Sequence, residues 1–112
     1  MSYRIHITRT AERDMDAAAE YIEFSLMNPA AADRLFDQIE EKLAPLSTNP
    51  KIHPVVDDPV LRVWRIRFVM VNNYLAFYTI NESERTVYIV RFLFRKRNWA
   101  HIMKTECIDK ME

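Results

Sequence analysis

The sequence predicts an α+β domain: a hairpin of two helices packed on an antiparallel sheet of about four strands, in the order β-α-α-β-β-β with a short C-terminal helix. Three observations predict it. Residues 11–26 and 32–46 carry apolar side chains at intervals of three and four, as helices with one buried face do. Residues 60–68, 74–80 and 86–95 alternate in steps of two, the period of half-buried strands. Asn28-Pro29 joins the helical stretches so tightly that they must lie antiparallel.

Taken in order, Tyr3, Ile5 and Ile7 alternate with Arg4, His6 and Thr8, a short first strand. Thr8 or Thr10 then offers a helix N-cap. Ala11, Met15, Ala18, Ala19, Ile22 and Leu26 form one apolar stripe, with acids on the other face. Ala32, Leu35, Phe36, Ile39, Leu43 and Leu46 form the second. Both stripes read as core. Residues 47–59 hold Pro50, Pro54, Pro59 and Asp57-Asp58, and read as a long loop. In Arg62–Phe68, Trp64, Ile66 and Phe68 share the core face, with Arg65 and Arg67 opposite. Asn72-Asn73 supplies a hairpin turn, since Asn tolerates positive φ. Tyr74 to Ile80 and Thr86 to Arg95 complete the meander, and 98–104 read as a helix docked by Trp99, Ile102 and Met103. The helix hairpin would cover one side of the sheet. The other would stay open, and the arginines of adjacent strands would meet there.

At 112 residues the chain is a single domain, 1–112, large enough for a core without disulfide or metal. Its single cysteine, Cys107, fits a reducing cytoplasm and reads as an ordinary thiol. No stretch approaches the length of a membrane span, so no membrane partner is expected. Glycine is absent, so every turn is expected to use Asn, Asp, Ser or Pro, and Gly-rich phosphate loops and dinucleotide fingerprints are excluded. His6, His53, His101 and the one Cys lack metal-ligand spacing; no metal or cofactor is expected.

Charge is strongly polarised. From Arg62 to Lys104 there are nine basic residues against two acids, Glu82 and Glu84, a balance of +7; with 16 charges of each sign overall, the rest of the chain carries −7. A field of this kind attracts polyanions or an acidic partner.

Ile5-His6-Ile7-Thr8 runs into Ala11, Asp14-Met15 and Tyr21-Ile22. Pro50, Arg65-Ile66 and Asn73-Tyr74-Leu75-Ala76-Phe77-Tyr78 follow. Val87-Tyr88-Ile89-Val90-Arg91 then leads into Arg95-Lys96-Arg97-Asn98-Trp99. In order and spacing these pieces, spanning about residues 3–103, resemble the RelE/ParE superfamily of type II toxin–antitoxin toxins. The resemblance implies a RelE/ParE-like fold and a plasmid-stabilisation type of toxin, held inactive by a cognate antitoxin whose C-terminal segment wraps it, often in a toxin–antitoxin heterotetramer. It implies one of two targets: mRNA on the ribosome, cut by a metal-independent endoribonuclease, or DNA gyrase. Asn73 and Phe94 stand where relatives often carry glycine, and no tyrosine follows Tyr88 to serve as a terminal catalytic aromatic.

RNA cleavage needs a proton acceptor, positive charge on the developing phosphorane, and a donor to the leaving oxygen. Arg65, Arg91 and Arg95 are the candidates for charge and His101 for proton transfer, with Lys96 as a second acid–base candidate. Arg67, Lys96, Arg97, Tyr74, Tyr78 and Trp99 are the candidates for gripping or stacking on the target. The gyrase reading needs no catalytic group, only the basic edge and the segment ending in Trp99, Ile102 and Met103. A weakly toxic interaction module on the same fold is the third reading.

Overall fold

The computed structural model describes residues 2–107; the side chain of Cys107, and with it the expectation of an ordinary thiol, lies outside the described residues. The first strand, β1 (Arg4–Ile7), ends at Thr8, whose Oγ1 accepts from the Ala11 amide at 3.3 Å and starts α1 (Arg9–Glu20). Helix α1 buries Ala11, Met15 and Ala18 and continues through a π-helical turn, Tyr21–Ser25. Asn28 caps α2 (Pro29–Leu43) by accepting from the Ala31 amide at 3.1 Å, with Pro29 at the first helical position. Ala32, Leu35, Ile39 and Leu43 form its buried stripe. Leu26 and Phe36, placed on the stripes by their spacing, are exposed instead: Leu26 lies at the hairpin tip, and Phe36 points away from the buried side of α2 that Leu35 and Ile39 occupy.

The stretch 60–68 is not one strand. Asp58 accepts from the Val60 and Leu61 amides (2.9 and 3.1 Å) and Pro59 takes the first position of a short helix, α3 (Pro59–Val63). The helix ends in a Schellman motif. The Arg65 amide donates to the Arg62 carbonyl and the Ile66 amide to the Leu61 carbonyl, while Leu61 and Ile66 are buried in one cluster. Arg65 takes the left-handed position (φ 55°) where glycine is usual. Strand β2 begins only at Arg67 and runs to Val71. Trp64, expected in the core, caps the end of α3 with its side chain exposed.

Strands β3 (Tyr74–Asn81) and β4 (Thr86–Phe94) complete a four-stranded sheet in the order β1-β4-β3-β2. The last three strands form the expected antiparallel meander, while β1 joins β4 in parallel, Ile5 beside Val87. Asn72 makes the β2–β3 turn with φ 55°. Met27, Arg65 and Arg85 also carry positive φ, so turns are not confined to Asn, Asp, Ser and Pro; each such residue costs about 1–2 kcal/mol of backbone energy.

The sheet is covered on both faces rather than one. The helix hairpin packs on Val69, Val71, Ala76, Tyr78, Val87, Ile89 and Phe92. On the other face, Leu61 of α3 and Ile102 and Met103 of the C-terminal segment cover Leu75, Phe77, Val90 and Leu93. That segment is α4 (Trp99–Ile102), capped by Asn98, and a π-helical turn, Met103–Cys107. The cause is visible in β3, which is apolar on both faces: Leu75 and Phe77 on one, Ala76 and Tyr78 on the other.

Candidate functional site

The arginines do not meet on one face. Arg91 lies inside the fold, 7% exposed, its Nε and Nη2 donating to the two oxygens of Asp14 on α1 at 2.7 and 3.1 Å. The same carboxylate accepts from the Phe92 amide at 3.0 Å, and Glu106 approaches Nη1 at 3.8 Å. A register shift between Phe77 and Tyr78 puts Arg91 out of phase with Ile89, so simple alternation misassigns its direction.

Arg65 and Arg67 sit at the start of β2, lining with Arg62 and Val55 a cleft of about 460 Å³. Arg67 also donates to the His53 carbonyl. Arg95, Lys96 and Arg97 are exposed in the turn after β4, with Arg95 Nε donating to the Asn73 side chain at 3.2 Å. Arg67 is level with Tyr78 and Phe94 with Tyr74, four residues apart on β3, which sets the two basic groups about 13 Å apart along the strands. The expected cradle of Arg65, Arg67, Arg91 and Arg95 is therefore divided in three.

The remaining candidates differ in accessibility. Tyr78 is wholly buried, its hydroxyl donating to the Pro50 carbonyl at 2.8 Å, and burial pushes its pKa up to about 12. It cannot stack on a base from that position. Trp99 packs against Phe77 and Phe68 (5.2 and 6.3 Å between centroids), fixing α4 to the sheet. His101 is exposed on α4. Tyr74 is half-buried, stacked on Phe92 at 4.9 Å and 11°, and burial raises its pKa.

Tyr74 also walls a groove of about 340 Å³ with Asp14, Ala17, Ala18, Tyr21, Phe92, Phe94 and Arg97. The groove is mostly apolar, it opens beside the Arg95–Arg97 turn, and Tyr21 leads from it to the exposed Phe24, Leu26 and Met27 at the hairpin tip. Ala17, Tyr21 and Phe94 were not among the sequence candidates. For Tyr21 the signal was the apolar excess of Tyr21 to Met27, which exceeds what a buried stripe needs; Ala17 and Phe94 carried none.

The uncovered remainder of the second face is polar and shallow, a cavity of about 650 Å³ that includes His6, Thr8, Thr79, Glu84 and Tyr88. Both turn acids are engaged there: Glu82 accepts from the Tyr3 hydroxyl and pairs with Lys51, and Glu84 accepts from the Tyr88 hydroxyl. Among the described residues neither acid forms an ion pair with Arg65, Arg67, Arg95 or Arg97. Among the described residues no three His, Cys, Asp or Glu side chains cluster as metal ligands, and no helix is long and apolar enough to cross a membrane.

No curated protein matches the sequence. Solved structures do match in fold. A chain of the chromosomal ParDE TA system from P. aeruginosa superposes with a TM-score of 0.65 at 20% identity, over 83% of this chain and 96% of that one. An E. coli RelE mutant in the free state, with two arginines replaced by alanine, gives 0.66 at 12%, over all of both chains. A chain of the RelBE2 toxin–antitoxin complex from Mycobacterium tuberculosis gives 0.58 at 20%, over 85% and 100%. The family model described as "ParE toxin of type II toxin-antitoxin system, parDE" matches residues 5–99. The chain therefore belongs to the ParE toxin family of type II toxin–antitoxin systems, within the RelE/ParE superfamily.

Proposed function

We propose that this toxin acts by binding a protein target, DNA gyrase, and that a cognate antitoxin neutralises it by covering the same surface. The carrying observation is the commitment of Arg91 to Asp14. A guanidinium held by two carboxylate oxygens inside the fold is a poor stabiliser of a phosphorane forming outside it. Arg65 and Arg67 lie too far from Arg95 to act on the same phosphate. What stays accessible together is the Arg95-Lys96-Arg97 turn, the apolar groove and the aromatic hairpin tip. Arginine and aromatic side chains around an apolar groove are the usual anchors of protein interfaces. An amphipathic antitoxin segment would lay its apolar side chains in the groove and its acids on Arg97 and Arg95. The neighbours that are toxin–antitoxin complexes support that partner.

The test is a supercoiling assay with purified gyrase and purified toxin, beside primer extension on messages from cells induced for the toxin alone. Gyrase inhibition, relieved by Arg97→Ala and by the antitoxin, is expected. Active gyrase together with cuts phased to codons would overturn this reading in favour of ribosome-dependent mRNA cleavage, with His101, Lys96 and Arg95 as its accessible groups.

A further inference from the structure

Three cations sit in the turn after β4, and the fold sets one of them in advance. The β3–β4 ladder runs one pair beyond Tyr74 and Phe94, where the Arg95 amide donates to the Asn73 carbonyl at 2.8 Å. The Asn73 side chain then accepts from Arg95 Nε at 3.2 Å. One residue thus holds the arginine at its backbone and again at its head. Nε is the nitrogen nearest the stem, so the two terminal nitrogens keep their donors. Among the described residues they meet no carboxylate, and Lys96 and Arg97 have no side-chain hydrogen bond or ion pair.

The turn itself does not explain Asn73. Its positive φ falls on Asn72, at 55°, and φ at Asn73 is not positive, so the backbone property that recommends asparagine in a hairpin turn is already supplied one residue earlier. The side chain of Asn72 is fixed as well, donating to Gln38 on α2. The β2–β3 turn is therefore tied to the helix hairpin on one side and to Arg95 on the other. Tyr74, the next residue, stands edge-on to Phe94 at 5.6 Å, and both rings wall the apolar groove. Arg95 is in this way held in register with the groove wall. A partner that finds a long side chain already placed loses less affinity to ordering it.

We propose that Asn73 is a positioning residue of the gyrase-binding surface: it pre-orients the Arg95 guanidinium so that the two terminal nitrogens meet a carboxylate of gyrase end-on, as a planar fork does. The inference rests on the gyrase reading given above. It makes Arg95 the directional contact of the turn, whereas Lys96 acts through charge alone.

Two measurements test it. The first uses the free toxin and reads the order parameters of the arginine Nε–H groups by nitrogen-15 relaxation. Arg95 is expected to be well ordered and Arg97 to fall below about 0.6. Asn73→Ala brings Arg95 down to the level of Arg97 while Tm stays unchanged, and Asn73→Asp, which keeps the acceptor, keeps Arg95 ordered. The second measures toxin binding to immobilised purified gyrase by surface plasmon resonance, as a double-mutant cycle. Asn73→Ala weakens binding about three- to tenfold. In the Arg95→Ala background the same change has an effect within about twofold, because the residue acts only through the arginine. Arg95→Lys recovers little of the Arg95→Ala loss, since a point charge lacks the fork. An Arg95 as mobile as Arg97 in the wild type, or an equal loss from Asn73→Ala with and without Arg95, overturns the inference and leaves the gyrase reading standing. Gyrase left unbound by the wild-type toxin overturns the gyrase reading and this role with it, whatever the order parameters.

Discussion

Replacing Asp14 by alanine removes three hydrogen bonds in one step, two from the Arg91 guanidinium and one from the Phe92 amide. The arginine is left behind with 8% of its side chain exposed, and among the described residues Glu106 approaches it at 3.8 Å. Breaking a buried pair from one side costs about 3–5 kcal/mol, most of it the penalty on the orphaned charge. Asp14 is itself 16% exposed, so water partly re-solvates the site and the lower end applies, about 3 kcal/mol. For a chain of this size that lowers Tm by about 12 °C, out of a total stability of about 5–15 kcal/mol. Urea unfolding followed by circular dichroism measures it, with an unchanged slope confirming that the denatured state is not responsible. The double substitution Asp14→Ala/Arg91→Met is expected to be more stable than Asp14→Ala alone, because it withdraws a buried charge that has lost its bidentate carboxylate and fills the space. A loss below about 1 kcal/mol in Asp14→Ala, or no recovery in the double variant, refutes the account of Arg91 as a structural arginine.

Met27→Gly relieves a left-handed backbone at an exposed position (φ 51°) and is expected to raise stability by about 0.5–1 kcal/mol in the same unfolding assay, after glycine's larger unfolded entropy is subtracted. Tyr78→Phe strands the Pro50 carbonyl in the core and is expected to cost about 1 kcal/mol. The intact Tyr78 has a raised folded pKa of about 12, so its contribution is whole below the ordinary tyrosine range and lost as pH climbs through that value; phenolate absorbance read during alkaline titration follows it. Asp58 has a lowered pKa, caused first by the Lys104 ammonium and next by the Leu61 amide. Its contribution is complete above the unfolded carboxyl range and disappears as pH falls through the folded value. Asp58→Asn should therefore flatten the acid limb of a Tm-against-pH curve.

Most of the fold was legible because its signals were local and repeated. The helix stripes, the Asn28-Pro29 junction and the Asn72-Asn73 turn each state a structure within a few residues. Helix α3 carried the same kind of signal. Asp58-Pro59 is a cap followed by a first-turn proline, like Asn28-Pro29, but the alternation of Trp64, Ile66 and Phe68 masked it with a strand pattern. The covering of the second face was written in the two-sided apolarity of β3. The site was harder to read. Facing in β4 depends on a bulge that one strand's sequence does not announce, and the pairing of Arg91 with Asp14 joins residues 77 positions apart. The apolar groove brings together Ala17, Tyr74, Phe94 and Arg97 from distant stretches of chain, and nothing local to any of them foretells the others.

The sheet order has a consequence for synthesis. Among the described residues strand β1 has no strand neighbour but β4, so residues 4–7 wait about eighty positions for residues 86–89. A chain emerging from the ribosome first releases a helix pair and a lone strand, then a β-hairpin, with no middle piece to join them. Closure comes only as Thr86 to Phe94 appears, and the cationic turn at residues 95–97 emerges after it. Translation products interrupted before Thr86 would thus hold two unjoined halves, with neither β1 nor β3 yet paired to the strand that lies between them.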